Sequence, residues 1–182
     1  MQKSSPPAVP DLADRDPEPV APIDSRYFRQ ALSQFATGVT VVTMVGADGK
    51  LVGLTATSFN SVSLQPPLVL WSLGQSASSL AAFTAGAHYV INVLAADQVD
   101  LARRFGTRVQ DRFEGVALDL SATGQPILHG AVAWFECANR SRYPEGDHVI
   151  FVGEVVQCAF SQRPPLLFHT SQFATTAPLP SR

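Results

Sequence analysis

Five hydroxyl side chains fall within fifteen consecutive residues of this sequence, in the segment 53–67, GLTATSFNSVSLQPP. The surrounding stretch of residues 51–96 contains no Asp, Glu, Lys or Arg. Hydroxyl groups and backbone amides can supply hydrogen-bond donors and acceptors at fixed positions to a broad, largely apolar ligand. Ser and Thr also cap turns between strands without binding anything. From these residues alone, a ligand site and a set of capped turns are equally open interpretations.

Two shorter motifs carry residue types that can hold polar groups. In the first, QSASSL, three serines lie at the predicted start of a helix, where unpaired amides attract anions: Ser76, Ser78 and Ser79. Ser76 as a plain helix cap is an alternative that does not exclude anion binding. The second motif is GDH at residues 146–148, where His148 begins a strand and can donate a hydrogen bond to a ligand. An isolated histidine is more often structural.

Composition excludes several classes of function. Charged residues make up 15% of the 182 residues and the net charge is −2, which gives no electrostatic footprint for nucleic acid. The motifs GxGxxG, GxSxG, HExxH, Walker A and CxxC are absent, so no common cofactor or catalytic signature is present. Cys137 and Cys158 match no zinc spacing and are too few for a disulfide framework. We predict reduced core cysteines, no metal site and a cytoplasmic protein.

The two ends of the chain differ from the rest. Residues 1–23 hold six prolines and little that is large and apolar, which predicts a disordered tail without the apolar core of a signal peptide. Residues 24–177 form the predicted domain, and residues 178–182 a short C-terminal tail. Prolines and hydroxyls interrupt the uncharged stretch 51–96, so we expect no membrane-spanning segment and no membrane partner.

Hydrophobic patterning predicts the elements that position these motifs. Asp24 or Ser25 is expected to cap a helix that ends by Gly38, and Asp48-Gly49 to form a hairpin turn. Ser76 and Asp97 are expected to cap two further helices. The helix before Gly38 has an apolar face of Phe28, Leu32 and Phe35. The predicted strands are VTVVTMV, LVGLTATS, LVLWSL, HYVINVL, AVAWFECANRSRY, DHVIFVGEVVQCAF and PLLFH.

These elements predict a mainly β fold. Six or seven strands joined by hairpins, with only three short helices, indicate a closed antiparallel split β-barrel decorated by a few helices. Helices do not alternate regularly with strands, so a doubly wound parallel sheet is disfavoured.

Three blocks in register resemble a known family. FRQALSQFATGVTVVT, GLTATSFNSVSLQPPLVLWSL and GDHVIFVGEV are similar to the short-chain flavin reductases, the reductase components of two-component aromatic monooxygenases. The resemblance runs from about Phe28 to Phe173. It implies a split-barrel homodimer that binds FMN or FAD near the subunit interface and takes hydride from NADH or NADPH. Reduced flavin then diffuses to a partner monooxygenase.

The resemblance also implies roles for individual residues. His148 would orient the nicotinamide, with no acid–base step required. Phe105 and Phe173 would offer aromatic faces, although Phe105 can equally be core and Phe173 stands where relatives often have Tyr. The residues implied to line the flavin ring and ribityl chain are Thr55, Ala56, Thr57, Ser58, Phe59, Ser61 and Val62. The residues implied to hold its phosphate are Ser76, Ser78 and Ser79, in a segment where relatives often place a Lys or Arg that is missing here.

Other interpretations stay open at this point. A flavin- or haem-binding split barrel without turnover, acting as carrier or sensor, would show much of the same pattern. An oxidase of the pyridoxamine-phosphate type would require basic residues for a substrate phosphate. Arg104 and Arg112 can meet dinucleotide phosphates or be merely solvated, and we expect His88 and His129 to be structural.

Overall fold

The computed structural model describes residues 23–109 and 111–177. Apart from Ile23, the tails predicted at residues 1–23 and 178–182 lie outside these ranges. The helices are α1 (Ser25–Leu32), α2 (Leu80–Ala85) and α3 (Val99–Gly106). The strands are β1 (Thr37–Gly38), β2 (Thr40–Val45), β3 (Leu51–Ala56), β4 (Asn60–Leu64), β5 (Pro67–Gly74), β6 (His88–Val93), β7 (Leu118–Leu120), β8 (Pro126–Leu128), β9 (Ala133–Glu145), β10 (His148–Phe160), β11 (Leu167–His169) and β12 (Gln172–Ala174).

The mainly β prediction is confirmed. A seven-stranded antiparallel sheet has the order β3-β2-β6-β9-β10-β5-β4. Two small sheets accompany it, one of β1, β11 and β12 and one of β7 and β8. The Asp48-Gly49 turn joins β2 to β3 as predicted, with Gly49 at φ +77° and the Gly46 amide donating to the Lys50 carbonyl over 2.8 Å.

The large sheet must curl, because β3 and β4 are its two outermost strands and only residues 57–59 connect them. In a flat sheet the outermost of seven strands lie about 29 Å apart. The chain from Ala56 to Asn60 can span at most about 14 Å. Ser58, in this link, extends the pairing of β4 with β5: its hydroxyl accepts from the Ser72 amide at 2.9 Å and donates to the Ser72 carbonyl at 3.3 Å.

An aromatic cluster fills the interior of the curled sheet. Trp71 stacks on Phe151 with ring centroids 4.8 Å apart and meets Phe83 edge-on at 5.0 Å. Tyr89 closes the cluster at 5.7 Å from Trp71, and all four side chains are buried. A second cluster, which includes Phe105, lies under α3 against β2. Because β2 is covered on both faces, five of its six residues are buried, including Thr40 and Thr43, whose hydroxyls donate to backbone carbonyls.

Several predicted boundaries are wrong. α2 begins at Leu80, so Ser76 does not cap it; Ser79 occupies the N-cap position without a side-chain cap bond. Asp97 does not cap α3 but forms an ion pair with Arg163 at 2.6 Å, because a basic partner distant in sequence competes for its carboxylate. Asp24 does cap α1, accepting from two backbone amides at 2.8 Å.

Two burial predictions also differ from the structure. Cys137 is buried as predicted, whereas Cys158 is exposed because it lies on the part of β10 that extends beyond the core. Phe28 and Leu32 on the apolar face of α1, and Phe35 beyond the end of this helix, are each at least half exposed. No helix within residues 23–109 or 111–177 has the length and apolar character needed to cross a bilayer.

Gly153 allows β10 to pass the aromatic cluster at a register shift. A Cβ added there would overlap the Tyr89 hydroxyl and lie 2.8 Å from Cys137 Cβ. We expect Gly153→Ala to lower the free energy of unfolding by about 1–3 kcal/mol through overpacking. The Tyr89 hydroxyl has no hydrogen-bond partner in the described part of the chain. Tyr89→Phe should therefore be nearly neutral alone and relieve part of the Gly153→Ala defect.

Denaturant unfolding of the two single variants and the double variant measures these effects. If Gly153→Ala destabilises the Tyr89→Phe variant as much as it destabilises the unaltered protein, the proposed overlap is contradicted, because the added methyl would then act elsewhere.

Candidate functional site

A long groove runs between β3, the segment from the end of β5 into α2, and the loop that follows α3. Its volume is about 1350 Å³, above the roughly 300–1,000 Å³ of a typical small-molecule pocket. The residues that line this main groove are Lys50, Leu51, Val52, Gly53, Leu54, Thr55, Leu73, Gly74, Ser76, Ala77, Ser78, Ser79, Ala82, Phe105, Gly106, Thr107, Arg108, Val109, Asp111, Arg112 and Phe113. The groove exists because the curled sheet brings β3 opposite the end of β5.

Arg112 holds the loop after α3 against β3. Its Nη1 donates to the Gly53 carbonyl at 2.9 Å, and its Nε and Nη2 donate to the Thr107 carbonyl at 3.1 and 2.9 Å. The wall is also closely packed at Gly53. A Cβ at this position would lie 2.7 Å from the Phe105 ring and 2.9 Å from Phe113, so only glycine fits here without a shift of these rings. Arg112 is thus a structural clamp in this wall, which leaves little of its donor capacity for a ligand.

The three serines of QSASSL all line the main groove. None of their hydroxyls makes a hydrogen bond within residues 23–109 and 111–177, so all three can donate to or accept from a ligand. The cation missing from this segment comes from other elements: Lys50 and Arg108 line the same groove. Lys50 also pairs with Asp48 at 3.1 Å. Sequence reasoning missed both residues, because Lys50 and Arg108 are far from QSASSL in the chain.

The hydroxyl segment is divided by the structure. Of its seven predicted flavin-lining residues, Thr55 alone lines the main groove. The Thr55 hydroxyl donates to the Ala102 carbonyl at 2.7 Å, so towards a ligand it can only accept. Ala56 is buried at the end of β3 and Phe59 packs on Phe135 at 5.4 Å. The others lie exposed along the link and β4, a strand that the sequence analysis did not predict: Thr57, Ser58, Ser61 and Val62.

The GDH motif sits beside the main groove. Gly146 takes φ +58° in the turn, and the Gln75 side chain and amide donate to the carbonyls of Gly146 and Asp147 at 3.0 and 2.8 Å. His148 faces Gly74 in the β10–β5 register. A Cβ added at Gly74 would lie 3.8 Å from His148 Nε2, which places this nitrogen next to the groove wall.

Asp147 fixes the tautomer of His148. The two side chains meet with Nδ1 and Oδ1 2.6 Å apart. The hydrogen bond from His148 is the main cause that lowers the pKa of Asp147, and the charges of His148 and Arg29 act in the same direction. An ionised carboxylate only accepts, so Nδ1 carries the proton and Nε2 of the neutral ring is an acceptor. This reverses the expected hydrogen bond: donation from Nε2 requires the imidazolium.

The remaining candidates have structural surroundings. Phe105 is 1% exposed and packs edge-on against Phe113 at 4.9 Å, so it meets the groove only at its edge. Phe173 packs on Phe168 at 5.4 Å, outside the main groove lining. His129 has a partner that the sequence did not reveal, Asp119 at 2.9 Å. Arg104 donates to the Asp111 carbonyl at 3.3 Å, and His88 lies in β6.

Comparison with protein families gives one domain match. The family described as "Flavin reductase like domain" matches residues 32–177. This range takes in β1 to β12 and every residue of the main groove.

Individual proteins are similar over most of the chain. FMN reductase (NADH) SmoA of Agrobacterium fabrum is 45% identical over 150 residues, 82% of this chain and 85% of that protein. The reductase subunit HsaB of a flavin-dependent monooxygenase of Rhodococcus jostii is 39% identical, covering 86% and 80%. The crystallised NADH:FAD oxidoreductase SgcE6 of Streptomyces globisporus, in complex with NAD and FAD fragments, superposes with a TM-score of 0.82 at 41% identity, covering 88% and 98%.

The Arg112 clamp makes a prediction about the groove wall. Arg112→Gln should remove charge-assisted bonds to two carbonyls and lower the free energy of unfolding by about 1.5–3 kcal/mol. Backbone amides of residues 107–113 should then exchange hydrogen faster than in the unaltered protein. Hydrogen-exchange mass spectrometry measures this change.

Arg104→Gln is the matched control, since Arg104 makes a single longer bond to the same loop. Equal exchange rates in the two variants would show that Arg112 does not hold the wall.

Proposed function

This chain belongs to the flavin reductase-like domain family, and on that basis we propose how its site works. The protein is an NAD(P)H-dependent flavin reductase that reduces FMN or FAD and supplies reduced flavin to a partner monooxygenase. The single observation that best supports a working site in this chain is the main groove, whose lining combines the three QSASSL serines with three cations, and which has His148 at its edge. A carrier without turnover is not favoured, because the similar proteins are named as reductases and oxidoreductases.

The groove fits a flavin by its chemistry. The β3 wall offers apolar side chains and backbone to a broad ring, with Thr55 as an acceptor at one point. We assign the phosphate end to Ser76, Ser78 and Ser79, with Lys50 and Arg108 supplying positive charge from the opposite side. The more distant predicted residues, from Ala56 to Val62, extend the site along the seam if the ring lies across the end of β3.

His148 is assigned to the hydride donor. A bound flavin accepts hydride directly from the nicotinamide ring, so the protein supplies position and electrostatics instead of proton transfer. With Nδ1 committed to Asp147, Nε2 can accept from the amide group of a nicotinamide carboxamide. The family resemblance implies that Phe105 and Phe173 offer aromatic faces near the flavin, and we keep both residues as candidates.

We further propose that the curled sheet closes into a split barrel and that two copies form a homodimer in the cytoplasm. Contacts between β3, at one edge of the sheet, and β5, beside the other edge, support closure. The exposed apolar face of α1 supports the dimer, since Phe28 and Leu32 are 51% and 56% exposed in the single chain. A second subunit would cover this face.

Substitutions at His148 and at the phosphate end of the groove should impair different steps, the use of NADH and the binding of flavin respectively. His148→Ala should leave the flavin Kd within about twofold, but raise the KM for NADH or slow flavin reduction by a few-fold to roughly tenfold. Arg108→Gln should do the reverse, raising the flavin Kd while turnover at saturating flavin stays unchanged. Fluorescence quenching gives the Kd, and stopped-flow bleaching of the flavin absorbance gives the rate of reduction.

Matched controls separate these site-specific effects from the effect of removing any exposed histidine or arginine. His129→Ala removes another partly exposed, carboxylate-paired histidine, and Arg142→Gln another exposed arginine, both outside the main groove. Reduction by His148→Ala at the unaltered rate across all NADH concentrations would refute the role of His148. Failure of the unaltered protein to reduce flavin with NADH would refute the proposed function itself.

The dimer has its own test. We expect sedimentation to show a homodimer at micromolar concentration, and Phe28→Glu with Leu32→Glu to shift it towards monomer, because burying two carboxylates is unfavourable. An unaltered protein that sediments as a monomer with full activity would contradict the dimer.

A further inference from the structure

A second groove lies apart from the main one, between α1 and the turn that joins β11 to β12. Its volume is about 450 Å³. The residues that line this α1 groove are Ser25, Arg26, Arg29, Gln30, Ser33 and Ser171. Every one of these side chains is polar, two are cationic and none is a carboxylate. The α1 groove shares no residue with the main groove.

Neither arginine of the α1 groove forms an ion pair with another described residue. Over residues 23–109 and 111–177, neither Arg26 nor Arg29 faces a carboxylate within 4.0 Å or donates a side-chain hydrogen bond. They lie three residues apart on one side of a helix, where like charges repel. Arg29 is favourable at the C-terminal end of α1, but Arg26 in the first turn is not. An anion bound between them would remove this repulsion.

The groove-lining and apolar positions occupy adjacent sides of α1. At about 100° per residue, Leu32 falls next to Ser25 and Arg29, whereas Arg26 lies well away from Phe28 and Leu32. Of the two arginines, Arg26 is therefore the farther from the proposed subunit interface.

The far wall of the α1 groove is held in a strained conformation. Thr170 and Ser171 have φ of +46° and +62°, which non-glycine residues rarely adopt, and a β-branched residue least of all. The Thr170 amide donates to the Ser33 carbonyl at 2.9 Å, which fixes this turn to the end of α1. The Ser171 side chain is thereby kept on the groove.

The α1 groove is electrostatically linked to the GDH motif. Asp147 has its pKa lowered chiefly by the hydrogen bond from His148, and the charge of Arg29 adds to this effect. Arg29 is therefore one of the charges that act on the carboxylate that orients His148, although it forms no ion pair with it in the described residues. A ligand whose reactive end lies at His148 and whose anionic end extends towards α1 would meet both sets of residues.

We propose that the α1 groove binds phosphate of the adenylate half of the hydride donor, through Arg26 and Arg29 with hydroxyl donors from Ser25 and Ser171. This rests on the proposed function, because it takes His148 as the site of the nicotinamide. Arginine suits this ligand, since its planar fork donates two parallel hydrogen bonds to phosphate oxygens. These residues would contact atoms remote from the reacting carbon. They would therefore stabilise the bound NADH and the transition state of hydride transfer equally.

The test compares hydride donors with and without phosphate. In Arg26→Gln/Arg29→Gln, the KM for NADH should rise roughly tenfold or more while kcat stays unchanged. The KM for reduced nicotinamide riboside, which has no phosphate, should not change. ADP should inhibit the unaltered protein competitively against NADH and inhibit the double variant weakly. Arg26→Lys/Arg29→Lys should recover part of the NADH affinity, because it keeps the charge but loses the fork.

Further measurements distinguish binding of the NADH phosphate from binding of the FAD phosphate. They also distinguish failure of this proposal from failure of the proposed function. Arg142→Gln removes an exposed arginine of β9 outside both grooves and should behave like the unaltered protein. A raised Kd for FAD but not FMN in the double variant, with an unchanged KM for NADH, would overturn this proposal by assigning the groove to the flavin. An equal rise in KM for NADH and reduced nicotinamide riboside would overturn it as well. In either case, NADH-dependent flavin reduction by the unaltered protein would leave the proposed function intact.

Discussion

The structure depends on one covalent constraint, the three-residue link between the outermost strands of the large sheet. Residues 57–59 are too short to cross a flat seven-stranded sheet, so β3 and β4 must approach each other as the sheet curls. Curling encloses the aromatic cluster around Trp71 and sets β3 opposite the end of β5. The main groove lies between these two walls, so the same constraint that forms the core also forms the site.

Positive charge is supplied to the site from outside the uncharged stretch. Residues 51–96 provide backbone, serines and apolar side chains, and the cations come from flanking elements, with Lys50 in the first hairpin and Arg108 after α3. Arg112 also lines the groove, but three of its N–H groups are bonded to the carbonyls of Gly53 and Thr107, so it holds the wall as well as adding charge. Two arginines of the same loop thus differ in role only through the partners that folding gives them.

The motifs were easier to predict than their hydrogen-bond partners. QSASSL reaches the groove and GDH lies at its edge. The hydroxyl segment was predicted as one site, but an unrecognised strand, β4, carries half of it to the opposite edge of the sheet. Ser58 then bonds Ser72 and Thr55 bonds Ala102. These partners are 14 and 47 residues away, beyond what local pattern can reveal.

The sequence by itself determined the mainly β class, the Asp48-Gly49 hairpin, the Asp24 cap of α1 and the family, because each depends on residues close together or on blocks of sequence in register. The tertiary structure alone decided which cations face the serines, which nitrogen of His148 is free, and that Asp97 pairs with Arg163 instead of capping α3. A charged or hydroxyl side chain goes to the partner that best replaces its lost water, and that partner is brought near only by folding.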